Sequence, residues 1–197
     1  VYVDFLELLL SYPWFFIKGH FIKDRTPVLR KTEERLMEVL DATRGNVMIT
    51  HSCRTIFYCV IEALLDEAEA RTGVRKIRVC TASLHFGSFY KLFQSMQKNG
   101  SCEIEFYEID LKQSDWTLDQ ELIREEQVKS CDLIMCQNIF GTPFRQEKFF
   151  ELGKKYNIPI LEDLVQSGSL FGSYKGHANS DIVMWSCGLD KIPSCFG

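Results

Sequence analysis

Ile158-Pro159-Ile160-Leu161-Glu162-Asp163 is a short apolar run that ends in two acids, and a helical stretch from about Gln146 to Tyr156 precedes it. The run is too short for a helix and rich in β-branched residues, so it reads as a buried strand. A carboxylate at the end of such a strand is costly unless it is paired or hydrogen-bonded. Asp163 therefore calls for a buried cationic partner, the alternative being an ordinary loop or helix-cap aspartate.

The same helix-and-strand grammar extends in both directions. Upstream, Val47 to Thr50 reads as a short buried strand, His51 to Arg54 as a turn, and Ile56, Phe57, Val60, Ile61, Leu64, Leu65 and Ala68 as the apolar stripe of a helix. Strands are expected at Ile77–Cys80, Ile104–Ile109, Leu133–Cys136 and Ile182–Trp185, with helices at about Lys31–Leu40, Ser88–Gln97 and Leu118–Val128. Short apolar strands alternating with longer helices predict an α/β fold, a mostly parallel sheet with helices on both faces. Ligands of such sheets bind beyond the carboxyl ends of the strands.

Composition fits that class. The 197 residues are 46% hydrophobic and 25% charged, with a net charge of −4, which excludes a disordered chain and gives no basic footprint for nucleic acid. The eight cysteines form no C-x-x-C and no zinc-ligand spacing with the four histidines, so no metal is expected and reduced, cytoplasmic thiols are the natural reading. The apolar arm from Phe5 to Ile17 contains Glu7 and Pro13 and is shorter than the roughly 20 residues of a membrane span, so it reads as a buried or partner-facing segment. The expected organisation is an arm over residues 1–30 and one large domain over 31–197.

Candidate chemistry stands at the strand ends. Ser52, Cys53, Arg54 and Thr55 open a helix, where free N–H groups favour an anion, although Ser52 is equally an ordinary N-cap. Phe86, beside Gly87, offers a platform for a flat ring, or a core side chain. Lys191, between Leu189 and Ile192, is the kind of lysine whose basicity falls enough to make it a nucleophile or Schiff-base former, or else a surface lysine.

Taken in order, Ile158 to Ser167, Tyr174-Lys175-Gly176, Ser180-Asp181-Ile182, Ser186 and Lys191 resemble the DegT/DnrJ/StrS-type sugar aminotransferases. Gln166, Ser186 and Lys191 lie 3, 23 and 28 residues after Asp163, as in that family's layout. The turn at Ser52-Cys53-Arg54-Thr55, the run Thr81 to Phe86, and Ile139-Phe140-Gly141 match more loosely, and Cys53 and Asn138 stand where the family has glycine and histidine.

The resemblance implies a three-layer fold-type I enzyme that uses pyridoxal 5′-phosphate (PLP). Lys191 would form the Schiff base and move protons, and Asp163 would pair with the pyridine nitrogen. Phe86 would stack on the ring, with Gln166 near it or its 3-hydroxyl. Ser186 and the N–H groups around Cys53 and Arg54 would hold the phosphate. The implied reaction passes an amino group from an amino acid, commonly L-glutamate, to a keto group on a nucleotide-linked sugar, in a cytoplasmic homodimer. Family members continue past the lysine into a small C-terminal domain, so the chain is expected to be the cofactor-binding part of a longer enzyme. Another fold-type I PLP reaction, and a non-catalytic aminotransferase-like domain, are the competing readings.

Overall fold

The computed structural model describes residues 26–40, 47–50, 52–100, 102–138, 145–167 and 174–186. The arm at Phe5–Ile17, the Ile139-Phe140-Gly141 segment and Lys191 lie outside them. The short apolar runs become five strands, β1 Lys76–Ala82, β2 Glu103–Ile109, β3 Leu133–Gln137, β4 Ile160–Asp163 and β5 Ile182–Met184. They form one all-parallel sheet in the order β2-β1-β3-β4-β5.

Helices cover both faces, and the two-residue period of the strands assigns each side chain to one of them. On one face, α2 (Cys53–Thr72) and α3 (Ser88–Gly100) bury Phe57, Ile61, Leu65, Phe89 and Phe93 against Val79, Met135, Leu161 and Met184. On the other, α4 (Glu125–Lys129) and α5 (Glu147–Tyr156) bury Val128, Phe149, Phe150 and Leu152 against Cys80, Ile134, Cys136 and Ile160. The architecture is the expected three-layer α/β/α sandwich. Gly153 lets α5 lie close on β4, since a Cβ there would fall 2.4 Å from Ile160 Cδ1. Asp132 and Asp181 close the amino ends of the sheet: Asp132 Oδ2 accepts the Arg78 N–H at 2.9 Å and Asp181 Oδ2 the Ile160 N–H at 2.8 Å.

Two expectations fail. Val47–Thr50 is not a strand: Met48 is 60% exposed, and the Ile49 N–H donates to the Glu33 side chain on α1 (Thr26–Leu40) at 3.0 Å, with no strand paired to it among the described residues. The helix expected at Leu118–Val128 is broken. Leu118 bridges to Leu111, a 3-10 turn covers Gln120–Leu122, and α4 starts only at Glu125. The buried residues there are Leu118, Ile123 and Val128, five apart. At 100° per residue, an unbroken helix would turn about 140° from each of them to the next, spreading the three around its axis. Breaking the helix puts all three into the same core. The Tyr107 hydroxyl stitches the break, accepting the Arg124 N–H at 2.9 Å and donating to the Leu122 carbonyl at 3.3 Å. Among the described residues no helix is long and apolar enough to cross a membrane.

Candidate functional site

From β1 the chain crosses to β2 on one side, whereas from β3 it proceeds through β4 to β5 on the other. The order thus reverses between β1 and β3, and the crevice at their carboxyl ends is where open α/β sheets receive ligands. Ser83 to Gly87 follow β1 there, Asn138 follows β3, Asp163 ends β4, and Trp185-Ser186 follow β5.

Alternation along β4 sends its two acids to opposite faces. Glu162, 1% exposed, shares a face with Ile160 and is held by three donors. The Tyr174 hydroxyl donates to Oε1 at 2.5 Å, and the His177 N–H and Ser180 hydroxyl donate to Oε2 at 2.7 Å each. Burial, then the hydrogen bond to Glu162, pushes the Tyr174 phenol well above its ordinary value, and burial does the same to the Cys136 thiol, with the Glu162 charge adding to it. His177 also stacks on Phe150, ring centres 3.9 Å apart. Gly176, at φ +116°, brings the backbone against Val183 and Glu162 where a Cβ would lie 2.7 Å from Val183 Cγ2. The Tyr174-Lys175-Gly176 motif thus owes its tyrosine and glycine to the anchoring of this loop on Glu162.

Asp163, 8% exposed, faces the α2 side with Leu161. Its Oδ1 accepts the Val165 N–H at 2.9 Å, and its Oδ2 accepts from Gln137 Nε2 at 3.5 Å across the β3–β4 register. Both of these donors are neutral. Gln137, which sequence reasoning missed, is fixed by Gln146 at the head of α5. Gln146 Oε1 accepts the Gln137 N–H at 3.2 Å, and its Nε2 donates to the Gln137 carbonyl at 2.9 Å and to Asn138 Oδ1 at 3.1 Å. The available signal was a glutamine closing the otherwise apolar strand Leu133–Cys136.

Ser52 is the N-cap of α2, its hydroxyl accepting the Thr55 N–H at 3.3 Å. The Cys53 thiol donates to the Trp185 carbonyl at 3.1 Å, so the first turn of α2 lies beside the segment that carries Ser186. Cys53 and Ser186 are thereby brought together, with Arg54 exposed on the same turn. Phe86 is 49% exposed after β1, and Gln166 is half-buried three residues beyond Asp163.

Beside Phe86 lies a second group the sequence did not reveal. The His85 side chain is 1% exposed, with Nε2 3.4 Å from Glu108 Oε1 and its ring 4.1 Å from that of Tyr90. Tyr90 donates to the same carboxylate, and burial, then that bond, pushes its phenol up to about 12.

Most buried side-chain polar atoms that lack a hydrogen-bond partner, among the described residues, gather at this end of the sheet: Thr81 Oγ1, His85 Nδ1, Gln137 Oε1, Ser167 Oγ and Trp185 Nε1. Only Arg78 Nε lies elsewhere. Each such atom costs about 1–3 kcal/mol, so their concentration marks a place built for a polar ligand.

No family model and no curated protein matches the sequence. Solved structures do match. SspA in complex with cysteine aligns at 17% identity over 72% of this chain and 41% of that one, with a TM-score of 0.51. A sphingosine-1-phosphate lyase from Burkholderia pseudomallei K96243 aligns at 10% identity over 71% and 34%, TM-score 0.46. An aminotransferase from Neisseria meningitidis Z2491 aligns at 19% identity over 70% and 35%, TM-score 0.44. The chain spans between 34% and 41% of the length of these structures. At 17% identity the likeness to SspA supports the fold alone, a three-layer arrangement of a parallel sheet between helices.

Proposed function

We propose that this chain binds PLP and that its whole enzyme is an aminotransferase, passing an amino group from L-glutamate to a keto sugar, nucleotide-linked, as a cytoplasmic homodimer. The observation that carries the reading is Asp163. It is a buried carboxylate fixed at the end of β4, beside the reversal of strand order, among buried polar atoms that lack partners in the described fold.

These residues fit PLP. Asp163 offers a carboxylate to the ring N–H, and Phe86 an exposed ring face after β1. The first turn of α2, with Ser186 next to the carbonyl that Cys53 grips, suits a phosphate at a helix N-terminus, and Arg54 adds charge there. Gln166 is assigned to the ring or its hydroxyl. When bound, PLP supplies an electron sink for the carbanion formed at the amino donor. Lys191 Nζ is assigned the attachment and the proton transfers, and Asp163 keeps the ring nitrogen protonated.

The test is a PLP titration of the chain followed by visible absorbance. The parent gains a visible band that Lys191→Ala abolishes, and in the whole enzyme L-glutamate bleaches it. A parent chain that binds no PLP sinks the reading in favour of a non-catalytic domain, and a band indifferent to glutamate sinks the assigned donor.

A further inference from the structure

Gln137 stands in a position where an apolar residue would suit the fold better. It closes a strand whose other members are fully buried and apolar, and it is 1% exposed itself. Its Oε1 is buried without a partner, and its Nε2 makes only long bonds, to Met135 Sδ at 3.7 Å and Asp163 Oδ2 at 3.5 Å. Turning the amide over would set Oε1 against the carboxylate, so the orientation with Nε2 towards Asp163 is the one chemistry allows. Gln146 fixes the backbone from which this side chain projects, holding both the Gln137 N–H and its carbonyl. The side chain thus aims its donor at one oxygen of Asp163 while its acceptor goes unsatisfied. Stability alone does not select that arrangement.

We infer that Gln137 is a positioning residue for Asp163, keeping that carboxylate ionised and oriented for the ring nitrogen of PLP; the second half of this statement rests on the cofactor proposed above. A carboxylate has about four acceptor sites, and the Val165 N–H and Gln137 take one on each oxygen. Gln137 thereby fixes the rotation of the group about its Cβ–Cγ bond as well as its charge.

Among the described residues, few other charged groups stand near Asp163. In register beside Asp163 stand Gln137 on β3 and Met184 on β5, and α2 presents Phe57, Ile61 and Leu65 to this core. Glu162 turns to the opposite face. The titratable and charged groups at the head of α2 are Cys53, bonded to the Trp185 carbonyl, and Arg54, exposed.

The experiment follows the Asp163 carboxylate carbon by NMR in the PLP-free chain, and PLP affinity by fluorescence titration across pH. Gln137→Met conserves volume and removes the donor. The Asp163 midpoint is expected to move up by about one pH unit, and PLP to bind about tenfold more weakly. Gln137→Glu shares one proton with Asp163 at low pH and repels it once both ionise. Its PLP affinity relative to the parent is therefore near parity at acid pH and falls as pH rises, whereas the Gln137→Met ratio stays low throughout.

A purely structural Gln137 would lower stability and leave the Asp163 midpoint in place, and that result overturns the inference. Should Gln137→Met fold poorly, the Gln137→Glu pH profile decides the same question: a ratio that falls with pH supports the inference and a flat one overturns it. Should the parent bind no PLP, the cofactor reading fails, and the Asp163 midpoint in the PLP-free chain still decides whether Gln137 governs that carboxylate.

Discussion

Glu162 and Asp163 are neighbours in sequence, both buried, yet the structure uses them in opposite ways. Glu162 is met by three donors at 2.5–2.7 Å, and these tie the loop from Tyr174 to Ser180 onto the sheet. Among its contacts, Asp163 accepts the Val165 N–H at 2.9 Å and a 3.5 Å hydrogen bond from Gln137, at the end of the sheet where most of the partnerless buried polar atoms among the described residues gather. One carboxylate ties a loop to the sheet, and the other stands at the carboxyl end of β4, in the crevice proposed for the cofactor. Burial of an acid therefore does not by itself mark a functional site; what distinguishes the two is the face of the sheet each takes and what it is tied to there.

The largest effect that would break this contrast is expected at Glu162. Glu162→Ala strands the Tyr174 and Ser180 hydroxyls and the His177 N–H, and should cost about 3–5 kcal/mol in urea unfolding, since each buried donor left unpaired costs about 1–3 kcal/mol. Asp163→Asn keeps an acceptor for Val165 and should change stability by less than about 1 kcal/mol. It should weaken PLP binding about 100-fold, through loss of the charge that faces the ring nitrogen. If instead Asp163→Asn unfolded the chain while Glu162→Ala did not, the two roles would be reversed. A smaller probe of the structural face is Gly153→Ala. The added methyl meets Ile160 Cδ1 and Cγ1 at 2.4 and 2.6 Å and the Ile158 carbonyl at 3.2 Å. Overpacking of this kind costs about 1–3 kcal/mol, and PLP affinity at the other face should be unchanged.

Much of the architecture was legible because its signals are local. β1 to β4 each follow a helix in the chain, and the stripe from Ile56 to Ala68 does become part of α2, with Phe57, Ile61, Leu65 and Ala68 buried. Local patterning failed where a tertiary choice governed the outcome. Leu118, Ile123 and Val128 carry enough helix propensity for a continuous helix, but their spacing of five cannot bury all three on one face. At Val47–Thr50 the apolar residues suggest a strand, yet the Ile49 N–H is taken by Glu33. The site divides the same way. Asp163 and the Ser52 turn announce themselves by residue type and position. Gln137, Gln146 and the His85–Tyr90–Glu108 group do not, because their meaning depends on β3 lying next to β4 and β1 next to β2.

The finest test of the contrast uses two tyrosines, one near each region. Tyr174 donates to Glu162 and Tyr90 to Glu108, and burial raises both phenols above their ordinary value, Tyr90 to about 12. A phenol with a raised folded-state value holds its proton more tightly folded than unfolded. Its contribution is complete below pH about 10, where the unfolded phenol titrates, and is lost as pH climbs towards the folded value, because the unfolded chain then releases a proton that the native one keeps. Stability of the parent should therefore fall as pH rises above about 10. Tyr174→Phe and Tyr90→Phe should each flatten part of that decline, read as the difference from the parent in unfolding experiments between about pH 9 and about pH 11. The regions separate in the second readout. Tyr174→Phe should loosen the loop on Glu162, seen as faster amide exchange at His177, without altering PLP affinity. Tyr90→Phe, which frees the carboxylate shared with His85 next to Phe86, should weaken PLP binding a few-fold. Equal effects of the two variants on PLP affinity would mean that the faces of the sheet are energetically one unit and that the division drawn between Glu162 and Asp163 is too sharp.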